Sequence, residues 1–245
     1  MPVRVLLAIV LALAAISLPA AADPLTPAQK DAVEQLIRNT IAEHPEIVID
    51  ALKSAQAKSD AEQAAAVKKA IAARREQLVA DPSSPVGGNP KGDVTIVEFF
   101  DYRCPYCKEV EPALEALIRE DHGIRIVYKE FPILGPASVY AAHVALAARA
   151  QGKYDAFHRA MMAVKGTIDE DVVRRTAASC GIDVKALGGA LDAPEIDRII
   201  KANYKLAESL EIEGTPAFVV GDYLLPGVPE MDDLKKLIAD IRKGG

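Results

Sequence analysis

Tryptophan is absent from this 245-residue sequence, cysteine occurs three times, histidine and methionine four times each, and aromatic residues make up 5%. Three sulfurs are too few for a disulfide-stapled scaffold. A zinc site would need a second Cys-x-x-Cys or a histidine pair at ligand spacing, and the sequence has neither. Surplus positive charge is missing too. With 29 Lys and Arg against 35 Asp and Glu, the formal net charge is -6, which excludes nucleic acid and anionic membrane surfaces as partners. Past residue 22 there is no run long and apolar enough to cross a bilayer, so the exported chain is expected to be soluble.

Residues 1–22 hold one charge at Arg4, an apolar stretch over 5–18, and then Pro19-Ala20-Ala21-Ala22. This is the layout of a secretory signal peptide cleaved after Ala22. The alternative, an uncleaved anchor, is opposed by the shortness of the apolar core. Export places the cysteines in an oxidising compartment, where one pair cycles and one thiol is left over.

The pair is Cys104 and Cys107, in Glu98-Phe99-Phe100-Asp101-Tyr102-Arg103-Cys104-Pro105-Tyr106-Cys107-Lys108. An apolar, β-branched run over Val94–Phe100 reads as a buried strand, and a stretch of helical period follows the cysteines. The dithiol therefore falls on the first turn of a helix, where unpaired N–H groups and the positive end of the dipole favour a thiolate. That makes Cys104 the acidic, reactive sulfur. A disulfide closing so short a ring removes little entropy from the unfolded chain, so reactivity explains the pair better than stapling. Pro105 suits an early helical position, and Tyr106 faces outward to shape a docking surface.

Phe-Phe-Asp-Tyr-x-Cys-Pro-Tyr-Cys after a strand resembles the DsbA-like branch of the thioredoxin superfamily, over roughly residues 84–243. The resemblance implies an α/β thioredoxin fold with a multi-helix insertion, and no cofactor or bound metal. It also assigns further site residues. Thr215-Pro216, ahead of an apolar strand, matches the cis-proline loop that presents backbone to an incoming peptide beside Cys104. Glu98, six residues before Cys104, matches the buried acid beneath the active site, with burial raising its pKa for proton exchange with Cys107. A partly exposed Glu at the strand's end is the alternative for that residue.

Upstream, Thr26, Pro27 and Gln29 signal a capped helix whose Val33, Leu36, Ile37 and Ile41 form one apolar stripe. His44-Pro45 interrupts it, and a second helix carries Ile47, Val48, Leu52 and Ala55. From 57 to 78 the chain is mostly Ala, Lys, Gln, Glu and Arg, a spacer with high helix propensity. A continuous helix over 45–79 would be about 50 Å long. Residues 23–82 are thus a helical oligomerisation and spacer region, self-associating through the stripe or, alternatively, folding back on the domain at 83–245. This arrangement resembles the N-terminal region of ScsC-type (suppressor of copper sensitivity) relatives.

Within 83–245 the pattern predicts an active-site helix over 104–119, a strand over 124–131, and a helical insertion over 136–210. Its helices are expected at 138–150, 154–164, 170–179, 184–191 and 195–210, with Tyr140, Val144, Leu146, Phe157, Met161, Met162, Val172 and Ile199 in the core. Cys180 reads as a buried small hydrophobe, and His44 and His158 as surface or helix-end residues. The chain returns through strands near 217–220 and 223–225 and a last helix over 229–241. Two functions remain open. One is a periplasmic thiol-disulfide oxidoreductase serving cysteine-containing clients, reset by a DsbB-like or DsbD/ScsB-like membrane partner, as oxidase or as isomerase and reductase. The other is an oligomeric copper-binding or chaperone-like module whose thiols hold metal, since soft thiolates suit Cu(I).

Overall fold

The computed structural model describes residues 24–183, 188 and 193–244. The expected leader peptide and, apart from Gly188, the expected helix over 184–191 lie outside them. The chain divides into two units at Lys58/Ser59.

The first unit holds α1 (Pro27–Glu43) and the opening turns of α2 (Glu46–Ala73). The Thr26 hydroxyl accepts from the Gln29 N–H, and the Gln29 side chain accepts in turn from the Thr26 N–H, which forms the capping box. No residue of α1 is buried. Leu36, Ile37, Ile41, Ile47 and Leu52 all face solvent within this unit.

The second unit contains the rest of α2 and α3 (Arg75–Val79), followed by β1 (Val86–Gly88), β2 (Val94–Phe100), α4 (Pro105–Glu120) and β3 (Ile124–Glu130). Next come the inserted helices α5 (Pro136–Ala148), α6 (Tyr154–Met162), α7 (Glu170–Ser179) and α8 (Pro194–Ser209), then β4 (Ala217–Val220), β5 (Tyr223–Pro226) and α9 (Met231–Arg242). The sheet order is β1-β3-β2-β4-β5, with β2 and β3 parallel and the other pairs antiparallel. β2 therefore runs through the middle, buried on both faces, as its near-continuous apolar sequence requires.

The alternation of β2 sorts two cores. Val94, Ile96 and Phe100 point to one face, where they meet Cys107, Val110 and Leu114 of α4 and the inserted helices. Val97 and Phe99 point to the other, against Ile71, Leu78, Leu206 and Leu210. The end of the stretch read as spacer is thus part of this core. Val67, Ala70, Ile71, Leu78 and Val79 recur at helical spacing, and an otherwise Ala-rich helix needs no more than that to seat on a sheet. Lys129, buried in β3, fastens the junction. Its ammonium donates to the Gln77 carbonyl (2.7 Å), the Ser84 hydroxyl (2.7 Å) and the Asp81 carboxylate (3.1 Å).

Strand β1 takes up Gly87-Gly88, a pair that by itself marks a turn or linker. Its backbone lies so close to β3 that a Cβ on Gly87 would sit 2.9 Å from Ile126, which is why glycine stands in a strand here. Every core residue expected in the insertion packs in or against the first cluster, Tyr140 and Val172 at its margin. Cys180 is half-buried rather than buried, because it caps the end of α7 with its sulfur 3.5 Å from the Ala156 carbonyl.

Candidate active site

The short loop after β2 delivers Cys104 to the N-cap of α4, with Pro105 at the first helical position. Asp101, buried at the end of β2, shapes this loop. Its carboxylate accepts from the N–H groups of Arg103 (2.7 Å) and Leu134 (2.9 Å), while its carbonyl accepts from the Cys104 N–H (3.0 Å). Cys104 and Cys107 are both free thiols and both largely shielded from solvent.

Their environments are unequal. A hydrogen bond from the Cys107 thiol is the largest influence on Cys104; burial opposes it, and the Thr215 side chain and the backbone N–H groups of Cys107 and Tyr106 add to it. The result lowers the Cys104 thiol to about 6. Cys107 moves the other way, pushed far up by burial and by its donation to Cys104. At neutral pH the pair therefore holds one thiolate, at the outer sulfur.

The Thr215-Pro216 peptide bond is cis, and the Cys104 sulfur lies 3.1 Å from the Thr215 carbonyl oxygen. Pro216 is buried and Thr215 half-buried, just ahead of β4. Pro105 is exposed, and Tyr106 is 60% exposed beside the sulfurs. The structure thus brings together Cys104, Cys107, Pro105, Tyr106, Thr215 and Pro216 at one end of α4.

Glu98 lies behind them. It is in phase with Ile96 and Phe100, so its side chain points toward α4, and it is wholly buried between Tyr128 on β3 and Phe218 on β4. The exposed alternative is overturned, because a central strand has no solvent-facing side. Neither carboxyl oxygen has a hydrogen-bond partner among the described residues. Burial first, then the nearby Glu111, Glu130 and Cys104, hold this group well above the ordinary carboxylate range. Its surroundings thus favour the neutral form of Glu98, and it is close enough to Cys107 to push that thiol up as well.

Sequence reasoning missed the polar network around it. Glu111, one turn after Cys107 on the same face of α4, is buried 3.4 Å from the His158 Nε2. His158 is buried too, a correction to its expected surface position. Its ring stacks on Tyr154 and its Nδ1 lies 3.2 Å from the Tyr102 hydroxyl. Tyr102 (3.1 Å) and Tyr154 (2.9 Å) both donate to Glu130, a carboxyl that burial also raises. The spacing of four from Cys107 to Glu111 was the one signal available. Lys108, next to Cys107, ties α4 to the insertion by donating to the carbonyls of Met161, Met162 and Val164, and burial lowers it to about 8. Among the described residues no group of three or more His, Cys, Asp or Glu side chains is placed to hold a metal ion.

Residues 95–239 match the family described as the DSBA-like thioredoxin domain, and residues 29–62 match the Copper resistance protein ScsC N-terminal domain. A thioredoxin-like oxidoreductase from Silicibacter pomeroyi is 47% identical, superposes with a TM-score of 0.67, and matches over 69% of this chain and 98% of its own. A linker-deletion mutant of Proteus mirabilis ScsC is 27% identical with a TM-score of 0.68, over 92% of this chain and 100% of its own. The thiol:disulfide interchange protein DsbA of Bordetella parapertussis is 27% identical over 157 residues, 62% of this chain and 75% of that protein. Over 137 residues at 28% identity the chain also matches a Na(+)/H(+) antiporter NhaA of Salinispora tropica, of which it spans 21%. No described helix is long and apolar enough to cross a membrane. With the family match extending from β2 through most of α9, and with the dithiol and Thr215-Pro216 inside it, this chain belongs to the DSBA-like thioredoxin domain family.

Proposed function

We propose that this chain is a periplasmic thiol-disulfide oxidoreductase that exchanges disulfides with client proteins through Cys104 and Cys107. The observation that carries the reading is the acidic Cys104 thiol lying 3.1 Å from the backbone of Thr215, beside the cis Pro216. A client thiolate attacks the Cys104 sulfur of the Cys104–Cys107 disulfide, and the S–S bond breaks as a mixed disulfide forms. Cys107 leaves with the electron pair and takes a proton from Glu98. A second client thiolate then attacks the client sulfur of the mixed disulfide and releases Cys104 as thiolate. Two electrons have passed to the enzyme, and the client is oxidised. Run backward, with Cys104 attacking a client disulfide and Cys107 resolving it, the same steps reduce or isomerise.

Thr215 and Pro216 offer backbone to an extended client, with Pro105 and Tyr106 flanking it. A membrane redox partner resets the dithiol; a DsbB-like oxidant yields an oxidase, a DsbD/ScsB-like reductant an isomerase or reductase. The solvent-facing apolar stripe of α1 and early α2 supports self-association into a homo-oligomer. The signal-like leader supports export to the periplasm. A second reading, an oligomer that retains Cu(I) on its thiols, draws on the name of the family matched at residues 29–62.

Scrambled and reduced ribonuclease provide the test. Exchange is expected from the wild type and lost in Cys104→Ser; equal activity in both would end the reading, and stoichiometric Cu(I) retention without turnover would favour the second. Light scattering with and without residues 23–58 tests assembly, equal monomer masses removing it. The in-cell thiol state tests direction, oxidised for an oxidase and reduced for an isomerase or reductase.

A further inference from the structure

A groove of about 760 Å³ opens beside Cys104, between α4 and the segment after α6. Both neighbours of Cys104, Arg103 and Pro105, line it. Its charge runs against that of the molecule. The whole chain carries -6, yet the groove gathers Arg103, Lys108, Arg159 and Lys165 against Glu111 and Glu115 alone.

The acids are also the less available of the two sets. Glu111 is buried and turned toward His158, 3.4 Å away, and Glu115 faces Arg159 at 3.9 Å. Lys108 is half-buried with its ammonium on three backbone carbonyls. Arg103, Arg159 and Lys165 remain exposed at the groove, and Lys165 has no acid partner among the described residues. Arg103 keeps its orientation by donating to the Leu134 carbonyl, which holds a fixed cation one residue from the reactive sulfur.

We propose that this groove docks an acidic, extended segment next to the reactive cysteine of a protein redox partner, and so selects partners by charge. The inference rests on the thiol-exchange reading above and adds a substrate preference to it. A partner cysteine held at Cys104 must leave chain on either side. One side runs past Thr215, and the other has this groove as the adjoining concave surface. Cations at the groove raise the encounter rate for carboxylate-bearing chains and slow cationic ones, through a field that salt screens.

The test measures second-order rates of disulfide exchange between the full chain and three synthetic cysteine peptides, with Asp/Glu, Ser/Gly or Lys residues flanking one cysteine. At about 0.01 M salt the acidic peptide should react roughly tenfold faster than the neutral one and the basic peptide slowest. Near 1 M salt the three should converge to within about twofold. The acidic-to-neutral ratio should fall toward one in Lys165→Glu and invert in Arg159→Glu/Lys165→Glu. Equal rates for all three peptides at low salt, or a preference that salt and both variants leave intact, would overturn the docking proposal while leaving thiol exchange standing. No exchange with any peptide would overturn the parent reading, and this one with it.

Discussion

Replacing Glu98 by Leu separates the cost of a buried acid from its use. The carboxyl sits on the central strand with both oxygens unpartnered among the described residues, and orphaned buried polar groups cost about 1–3 kcal/mol. Leu at this position removes that cost at little change in volume, so the variant should be more stable by about that much even where the acid is neutral. The pH dependence carries more information. Burial, Glu111, Glu130 and Cys104 raise the folded-state value above the ordinary 4.5, so the acid's neutral-form stability is intact below about 4.5 and is lost as pH rises through the folded value. The gap between Glu98→Leu and the wild type should therefore widen with pH, read as urea midpoints of the reduced proteins from pH 4 to pH 9. In the disulfide forms the widening should be smaller, because the Cys104 charge is gone. Catalysis should move oppositely: without the acid proposed to protonate Cys107, opening of the disulfide should slow roughly a hundredfold or more. Parallel stability curves together with an unaltered opening rate would refute both the buried position and the role.

Cys107→Ala removes the strongest donor to Cys104, and a hydrogen bond to a charged group is worth about 1.5–3 kcal/mol, so the Cys104 half-ionisation point should rise by about 1–2 pH units. Cys107→Ser keeps a donor and should leave it nearer the wild-type value; alkylation rates against pH would show whether the two variants differ. Lys129→Met removes the cation from the Asp81 carboxylate, which keeps its bonds from Ser83 and Ser84, and should cost about 1.5 kcal/mol at neutral pH in a denaturant titration. Burial raises Asp81, but Ser83, Lys129 and Ser84 outweigh it and hold it down to about 2, so the penalty should be present above pH 4 and fade as pH falls toward 2. The reduction potential of the dithiol should fall by about 59 mV per pH unit below pH 6, where two protons accompany two electrons, and by about 30 mV above it, where one does; a single slope through pH 6 would contradict the ionisation assigned to Cys104.

What could be read in the sequence follows from how local each signal is. β2 appeared over its full length because β-branched and aromatic residues fill it without interruption, and α7 because Asp169 caps it and Pro and Gly stay outside. β1 was illegible, since Gly87-Gly88 reads as a turn until β3 is known to lie against it. The seating of α2 and α3 rests on a few apolar residues in an Ala-rich helix, whose partners Phe99, Val219 and Leu206 are distant in sequence. Cys104 and Cys107 stood out because their spacing on a helix start carries chemistry, whereas Thr215-Pro216 was assigned through its resemblance to the family's cis-proline loop. Glu111, Glu130 and His158 were not, because each is one polar residue in an apolar period, and only the fold brings them together behind Cys107.

Titrating the reduced full chain through the thiolate ultraviolet absorbance, with Cys107→Ser and Cys180→Ser variants to assign the transition, addresses the ionisation of Cys104 most directly. A transition near pH 6 belonging to Cys104, leaving about nine-tenths of it ionised at pH 7, is the result this account predicts. A midpoint between about 8 and 9, the range of an ordinary cysteine, would contradict it.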